Sequence, residues 1–289
     1  MNMLTIKQRI PDFIALMRLD RPIGILLLLW PTLWALWIAG EGAPSVKNVL
    51  IFTLGVIVMR TAGCVINDFA DRNLDAHISR TQNRPLATGK ITSKEALALF
   101  IALGLIALAL VLFLNVLTIY LSFVALALAI TYPFMKRYTY MPQVVLGAAF
   151  SCAIPMAFAA EQNQLPAIAW LIYTANLIWT VAYDTQYAMV DRQDDIKIGI
   201  KSTAILFGNG DRIAIGLLQG ITIISLILIG RQLHFTWPWH VGLLLASGLF
   251  IYQQWLTKAQ QPEDCFKAFL NNNWVGLVIF AGLLAQYQL

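Results

Sequence analysis

The chain has 289 residues, of which 59% are hydrophobic and only 12% charged, with a mean hydropathy of +0.69. These values exclude an ordinary soluble domain and predict an integral membrane protein, with no length to spare for a large soluble domain beside one helical bundle. The net charge of +5 is scattered along the chain rather than gathered in runs, which excludes a nucleic-acid surface and reads as topology signals and anion contacts.

Residues 1–17 form an amphipathic lead-in in which Ile6, Ile10, Phe13, Ile14 and Met17 share a face, predicting a helix on the membrane surface. Nine apolar segments follow, each near the ~20 residues that a span requires. They cover residues 19–39, 46–67, 94–114, 116–135, 141–160, 165–187, 212–230, 237–256 and 269–287. The first lacks a small-residue cleavage site and reads as a retained span. The third and fourth are joined by little more than Asn115, which predicts a tight hairpin. Pro22, Pro31, Pro133, Pro142 and Pro155 mark span ends or kinks. Cys64, Cys152 and Cys265 are far apart, with no metal-ligand spacing and no disulfide expected.

Lys and Arg set the orientation. With the N-terminus in the cytoplasm, 17 of the 20 fall in cytoplasmic segments, from Lys7 to Lys267. Lys47 and Arg231 lie outside and Arg60 within the second span, a strong positive-inside bias. The expected fold is all-α: nine transmembrane helices in one bundle around a cytoplasm-facing cavity, as a single domain over 1–289. The N-terminus is cytoplasmic and the C-terminus periplasmic. The two longest polar loops, about 71–93 and 188–211, cap the cavity. Their shared order (apolar span, acidic helix end, basic residues with Gly, next span) is a crude repeat that an axis along the membrane normal would superpose.

Seven of the 15 acidic residues lie in two stretches, Asn67 to Asp75 and Tyr183 to Asp195, each following an apolar run. Read as helices at about 100° per residue, Asn67, Asp71 and Asp75 (spaced i, i+4, i+8) and Asp68 fall within an arc of about 100°. Asp184, Asp191, Asp194 and Asp195 share a similar arc, with Tyr187 inside it. Carboxylates about 4 Å apart repel by roughly 4 kcal/mol per pair at an effective dielectric of about 20. Acids beside a bilayer are costly and mark function, so a positive partner is expected between the two faces. Carboxylate, carboxamide and phosphate oxygens suit Mg²⁺ bridged to substrate phosphates. A short distance beyond the acids come cations and hydroxyls. His77-Ile78-Ser79-Arg80-Thr81-Gln82-Asn83-Arg84-Pro85-Leu86 follows the first stretch, and Lys197 to Thr203, with Lys201, follows the second. Arg suits bidentate phosphate contacts and Lys point-charge ones. A diphosphate held this way is a good leaving group. An ion-coupled transporter is the competing class, but it predicts acids near the midplane on broken helices.

Asn67-Asp68-x-x-Asp71-x-x-x-Asp75 and Asp184-x-x-Tyr187-Ala188-x-x-Asp191-x-x-x-Asp195 resemble the two signatures of the UbiA-type intramembrane prenyltransferase superfamily. The runs Arg80 to Leu86 and Ile198 to Ala204 resemble its flanking motifs, and the similarity covers nearly the whole chain. The second signature is most similar to that of the branch that prenylates 4-hydroxybenzoate in ubiquinone synthesis. The resemblance implies an all-helical bundle in the bacterial inner membrane. It also implies Mg²⁺ dependence and transfer of a polyprenyl group from its diphosphate to an aromatic ring, ortho to the hydroxyl. Asn67, Asp71, Asp191 and Asp195 are then the expected Mg²⁺ ligands, with Asp68, Asp75 and Asp184 beside them. Arg80, Arg84 and Lys201 would hold phosphate. Tyr183, Tyr187 and Phe69 would shield an allylic cation, and Asp191 is a candidate to activate the phenol. Arg137, Arg60 and Arg21 are three candidates for the benzoate carboxylate. The isoprenoid tail is expected in a lipid-side groove. A naphthoate, homogentisate or tetrapyrrole acceptor is the alternative.

Overall fold

The structure, a computed structural model, describes residues 3–78 and 80–289; the side chains of residues 3–8 and of His77 are also outside that description. The expected contributions of Ile6, Lys7, His77 and Ser79 therefore lie outside the described residues. Every described element is helical, with no strand among them. In chain order the helices are α1 (Met3–Leu16), α2 (Ile23–Ala39), α3 (Val46–Asp71), α4 (Ser93–Val111), α5 (Val116–Met135) and α6 (Pro142–Ser151). Then come α7 (Ala153–Gln162), α8 (Ala167–Ile198), α9 (Thr203–Phe207), α10 (Asp211–Gln232), α11 (Trp237–Leu256) and α12 (Pro262–Gln288).

Six segments are long and apolar enough to cross a membrane: α3, α4, α5, the pair α6–α7, α9–α10 and α12. The other three predicted apolar segments lie on α2, which is 17 residues long, and on α8 and α11. The chain is thus an integral membrane protein built from helices. The turn between α4 and α5 is the expected hairpin, and Asn115 makes it tight. Its side-chain oxygen caps α5 at the Thr118 amide, and its nitrogen donates to the Ala159 carbonyl. At the other end of α4, Thr92 and Glu95 form a reciprocal capping box, which satisfies two of the amides a helix start leaves open. Pro22 precedes α2, Pro142 opens α6, and Pro155 sits in the first turn of α7, just past the break at Cys152.

The core lies on one side of the bundle. Trp34, Trp179 and Trp239 are its largest centres, packed among α2, α7, α8, α10, α11 and α12. The α11–α12 crossing is close because Gly242 and Gly282 meet there. A Cβ on Gly242 would lie 2.9 Å from the Val278 carbonyl and 3.1 Å from the Gly282 Cα, the small-residue approach that helices use where lipid supplies no hydrophobic drive. On the other side α4 and α5 leave Leu105, Phe113 and Tyr120 more than 60% exposed, an apolar surface for lipid to cover.

Two features depart from the expected elements. The helical reading of the first acidic stretch stops at Asp71, so Asp75 is not one turn further along α3 but opens a separate 3₁₀ turn, Asp75–His77. There Asp75 stands beside Asp68, with Arg84 2.9 Å from both. In the second stretch α8 continues through the acids to Ile198, so the expected loop 188–211 is helical for its first eleven residues. Gly199 stops it in a left-handed conformation (φ 73°), donating to the Asp195 and Ile196 carbonyls, as a glycine C-cap does. The cysteines are all free and buried.

Candidate active site

One cavity of about 760 Å³ opens among α2 to α8 and α12, and both acidic stretches line it. That volume is within the range of roughly 300–1,000 Å³ typical of ligand sites. Asn67, Asp68 and Asp71 enter it from the last turns of α3, Asp75 from the turn after, and Asp184, Tyr187, Asp191 and Asp195 from one face of α8. The i, i+7, i+11 spacing along α8 keeps the last group on one face, as a helix of 3.6 residues per turn requires. Asp194 falls off that wall and pairs with Lys197 at 3.2 Å.

The carboxylates meet cations. Arg18 donates to both oxygens of Asp68 at 3.1 and 2.9 Å. Arg84 stands 2.9 Å from both Asp68 and Asp75. Lys136, at the end of α5, pairs with Asp71. Arg80 reaches from the first cap across to the second stretch: its Nε donates to Asp191 Oδ1 at 2.8 Å, its Nη2 to Oδ2, and its Nη1 to the Tyr187 hydroxyl. Its guanidinium also lies 4.6 Å from the Tyr187 ring centroid. Burial pulls the Arg80 and Arg84 pKa values down, but Tyr187 and Asp191 around Arg80, and Asp68 and Asp75 around Arg84, outweigh it and raise both. Lys201 lines the cavity, donates to the Tyr138 carbonyl at 3.3 Å and lies over the Tyr140 ring.

Two expected residues stand elsewhere. Arg137 does not line the cavity: it donates to the Pro133 and Ala70 carbonyls, tying the end of α5 to α3, and lies 3.6 Å from Asp71 Oδ1. The cation that enters is its neighbour Lys136, which nothing local distinguished. Phe69 is not on the cavity wall either. It packs with Phe13, Leu16 and Met17 of the N-terminal region, under Arg72. The aromatic wall beside Tyr183 and Tyr187 comes from Phe266 and Phe269 of α12, some 80 residues on in sequence, with Phe269 4.8 Å from Tyr187. Arg21 is at the rim, its side chain 73% exposed and 3.5 Å from Asp20. Arg60 is within the apolar part, 2.7 Å from the Cys64 sulfur, and its buried Nε has no hydrogen-bond acceptor. Arg18 was also missed: the sequence marked it only as a topology charge.

Among the described residues no three His, Cys, Asp or Glu side chains form a ready-made metal cage. The donor set nevertheless fits Mg²⁺. The acidic stretches bring hard carboxylate and carboxamide oxygens to one part of the cavity, and Asp71 Oδ1 is buried there with no hydrogen bond and only the Arg137 guanidinium at 3.6 Å, an acceptor with room for a cation or its bound water.

Comparison with known proteins agrees with the geometry. The family model of the UbiA prenyltransferase family matches residues 28–277. The chain is 60% identical over 285 residues to the 4-hydroxybenzoate octaprenyltransferase of Alcanivorax borkumensis, covering 98% of both chains. It is 59% identical to the enzyme of that name from Pseudomonas aeruginosa, covering 96% of this chain and 94% of the relative. Among solved structures it superposes on a UbiA homolog from Aeropyrum pernix K1 with a TM-score of 0.80 at 24% identity, over 91% of this chain and 97% of that one. A UbiA homolog from Archaeoglobus fulgidus bound to GPP and Mg²⁺ gives 0.70 at 19% identity, over 96% of this chain and 100% of the other; both structures speak to the fold alone. With a family model spanning most of its length and relatives near 60% identity, the chain belongs to the UbiA prenyltransferase family.

Proposed function

We propose that this chain is a 4-hydroxybenzoate polyprenyltransferase of ubiquinone biosynthesis. It transfers the polyprenyl group of a polyprenyl diphosphate to the ring carbon ortho to the hydroxyl, with Mg²⁺ as cofactor. The observation that carries this reading is the meeting of the two acidic stretches on one cavity, with Arg80 joining them. The relatives' printed name supports the acceptor. The reading includes one intramembrane domain over 1–289, nine spans and a cavity facing the cytoplasm. The N-terminus is cytoplasmic and the C-terminus periplasmic in a bacterial inner membrane, as the positive-inside bias requires.

Asn67, Asp68, Asp71, Asp75, Asp184, Asp191 and Asp195 would supply the oxygen ligands for Mg²⁺. When bound, Mg²⁺ neutralises charge on a diphosphate leaving group. Arg80, Arg84, Lys136 and Lys201 take the phosphate oxygens, and Arg80, Arg84 and Lys136 exchange a carboxylate for them as substrate enters. The allylic C–O bond breaks with its electron pair going to the diphosphate, and the rings of Tyr183, Tyr187, Phe266 and Phe269 shield the cation that remains. The ortho carbon then forms the new C–C bond and the ring loses its proton, with Asp191 placed to draw on the phenol hydroxyl. Of the three arginines considered for the benzoate carboxylate, Arg60 fits best, since its unpartnered Nε is buried at the cavity. Arg21 is at the rim and Arg137 is occupied by carbonyls. The tail lies along the apolar lining from Leu108 and Val111 of α4 and Phe123 and Leu126 of α5, next to lipid.

The relatives' name favours 4-hydroxybenzoate over homogentisate, a naphthoate or a tetrapyrrole, all of which also carry a carboxylate that Arg60 could take, and family membership removes the ground for a transporter. The test is incubation of membranes carrying the protein with 4-hydroxybenzoate and polyprenyl diphosphates of several lengths. Prenylated acid should form with Mg²⁺ and not with EDTA. No product from 4-hydroxybenzoate, with product from a naphthoate, would reassign the acceptor.

A further inference from the structure

Behind the wall of the cavity runs a buried chain of amides that the transfer chemistry does not use. On α8, Trp179 and Gln186 are seven residues apart and share the face turned toward α12. Asn272 of α12 joins them: its Oδ1 accepts from Trp179 Nε1 at 2.9 Å, and its Nδ2 donates to Gln186 Oε1 at 2.9 Å. Gln186 Nε2 then donates to Gln253 Oε1 of α11 at 3.1 Å. Trp179, Gln186, Gln253 and Asn272 are each no more than 1% exposed. Two of its members, Trp179 and Asn272, touch residues that line the reaction chamber. The Trp179 ring meets the Tyr183 ring edge-on at 5.5 Å, and Asn272 Nδ2 also reaches the carbonyl of Phe269 at 3.3 Å. Tyr183 and Phe269 line the cavity.

We infer that Gln186 and Asn272 are positioning residues: they fix the rotation of α8 against α12, and through it the placing of the aromatic wall and of the acids on the opposite face of α8. Apolar packing would permit α8 to turn or slide, because lipid is as apolar as the helix and gives no preferred register. A pair of amides with one donor and one acceptor each fixes the register, and an unpaired buried amide is costly enough to enforce it. A small rotation of α8 moves Tyr183 and Tyr187 away from the allylic carbon and moves Asp184 and Asp191 with them. Displacement of about 1 Å is enough to cost on the order of a hundredfold in rate.

The inference rests on the proposed reaction, so the wild-type protein is the control. With full-length protein in proteoliposomes, 4-hydroxybenzoate, an allylic diphosphate and Mg²⁺, three quantities are read: kcat, both KM values, and the share of substrate released as prenyl alcohol. That alcohol forms when water instead of the ring captures the cation, giving up a proton. Gln186→Leu should lower kcat at least about tenfold, leave the KM for 4-hydroxybenzoate within about twofold, and raise the alcohol share, because the wall closes less well. Trp179→Phe, which keeps the ring and removes the donor, should shift the same way by less. The reciprocal swap Gln186→Asn with Asn272→Gln should recover activity relative to either single change. If the variants lose folded protein while the surviving protein keeps wild-type kcat and alcohol share, the amides are merely structural and the inference is overturned. The swap failing to recover activity would also overturn it. Absence of product from wild type would instead sink the reading of the reaction.

Discussion

Arg84 offers the most direct test of how the acidic end is held. It stands 2.9 Å from both Asp68 and Asp75; the three side chains are 14%, 1% and 3% exposed. Arg84→Met keeps the bulk and removes the charge. Asp68 retains Arg18 at 2.9 Å, but Asp75 loses the cation paired with it. Breaking a buried pair from one side costs about 3–5 kcal/mol, since an uncompensated charge remains. The lower figure applies here because one of the two carboxylates keeps a partner, so we expect a loss of about 3 kcal/mol. Removing the stranded charge as well, in Arg84→Met with Asp75→Asn, should return at least half of it, about 1.5 kcal/mol, as non-additive effects of residues in contact do. Reversible unfolding in mixed micelles measures both variants and the single Asp75→Asn. The reasoning fails if Arg84→Met unfolds within about 0.5 kcal/mol of wild type, or if the second substitution adds to the loss instead of relieving it.

Asp71→Asn and Asp191→Asn should each lower transfer at least about a hundredfold, with the protein still folded in the membrane; near-normal turnover in either variant removes that residue from the site. Lys136→Met should raise the half-saturation for the diphosphate and leave that for the acceptor unchanged, while Arg137→Met should move neither, which initial-rate kinetics with each substrate varied will separate. Arg60→Leu should raise acceptor half-saturation by about ten- to a hundredfold, the worth of one charged hydrogen bond, and an unchanged acceptor curve would return the carboxylate to another cation. Chelation with EDTA should stop transfer and Mg²⁺ should restore it.

Sequence reasoning recovered what depends on local pattern. Runs near 20 apolar residues must become helices wherever lipid replaces water, because every backbone amide then needs an internal partner; α3, α4 and α5 follow from composition alone. Asn115 predicted its hairpin, since a short polar cap between two apolar runs has few conformations. Helical periodicity carried Asp184, Asp191 and Asp195 of α8 to one face, while Asp194, at the edge of the same arc, falls off it. The same periodicity put Asn67 and Asp71 on one face of α3.

What only the tertiary structure decided depends on partners far along the chain. The periodicity that placed Asp71 failed one turn later, where α3 has ended and Asp75 sits in a separate turn against Arg84. Lys136 and Arg137 are adjacent and alike in sequence, but the Ala70 carbonyl of α3 claims one and leaves the cavity to the other. Phe69 sits beside the signature acids yet faces the N-terminal helix, while Phe266 and Phe269 arrive from α12 to complete the wall. Local pattern sets which residues share a helix face; the packing of helices sets which faces meet, and neither Arg18 on Asp68 nor Asn272 on Gln186 leaves any trace in the spacing of its own segment.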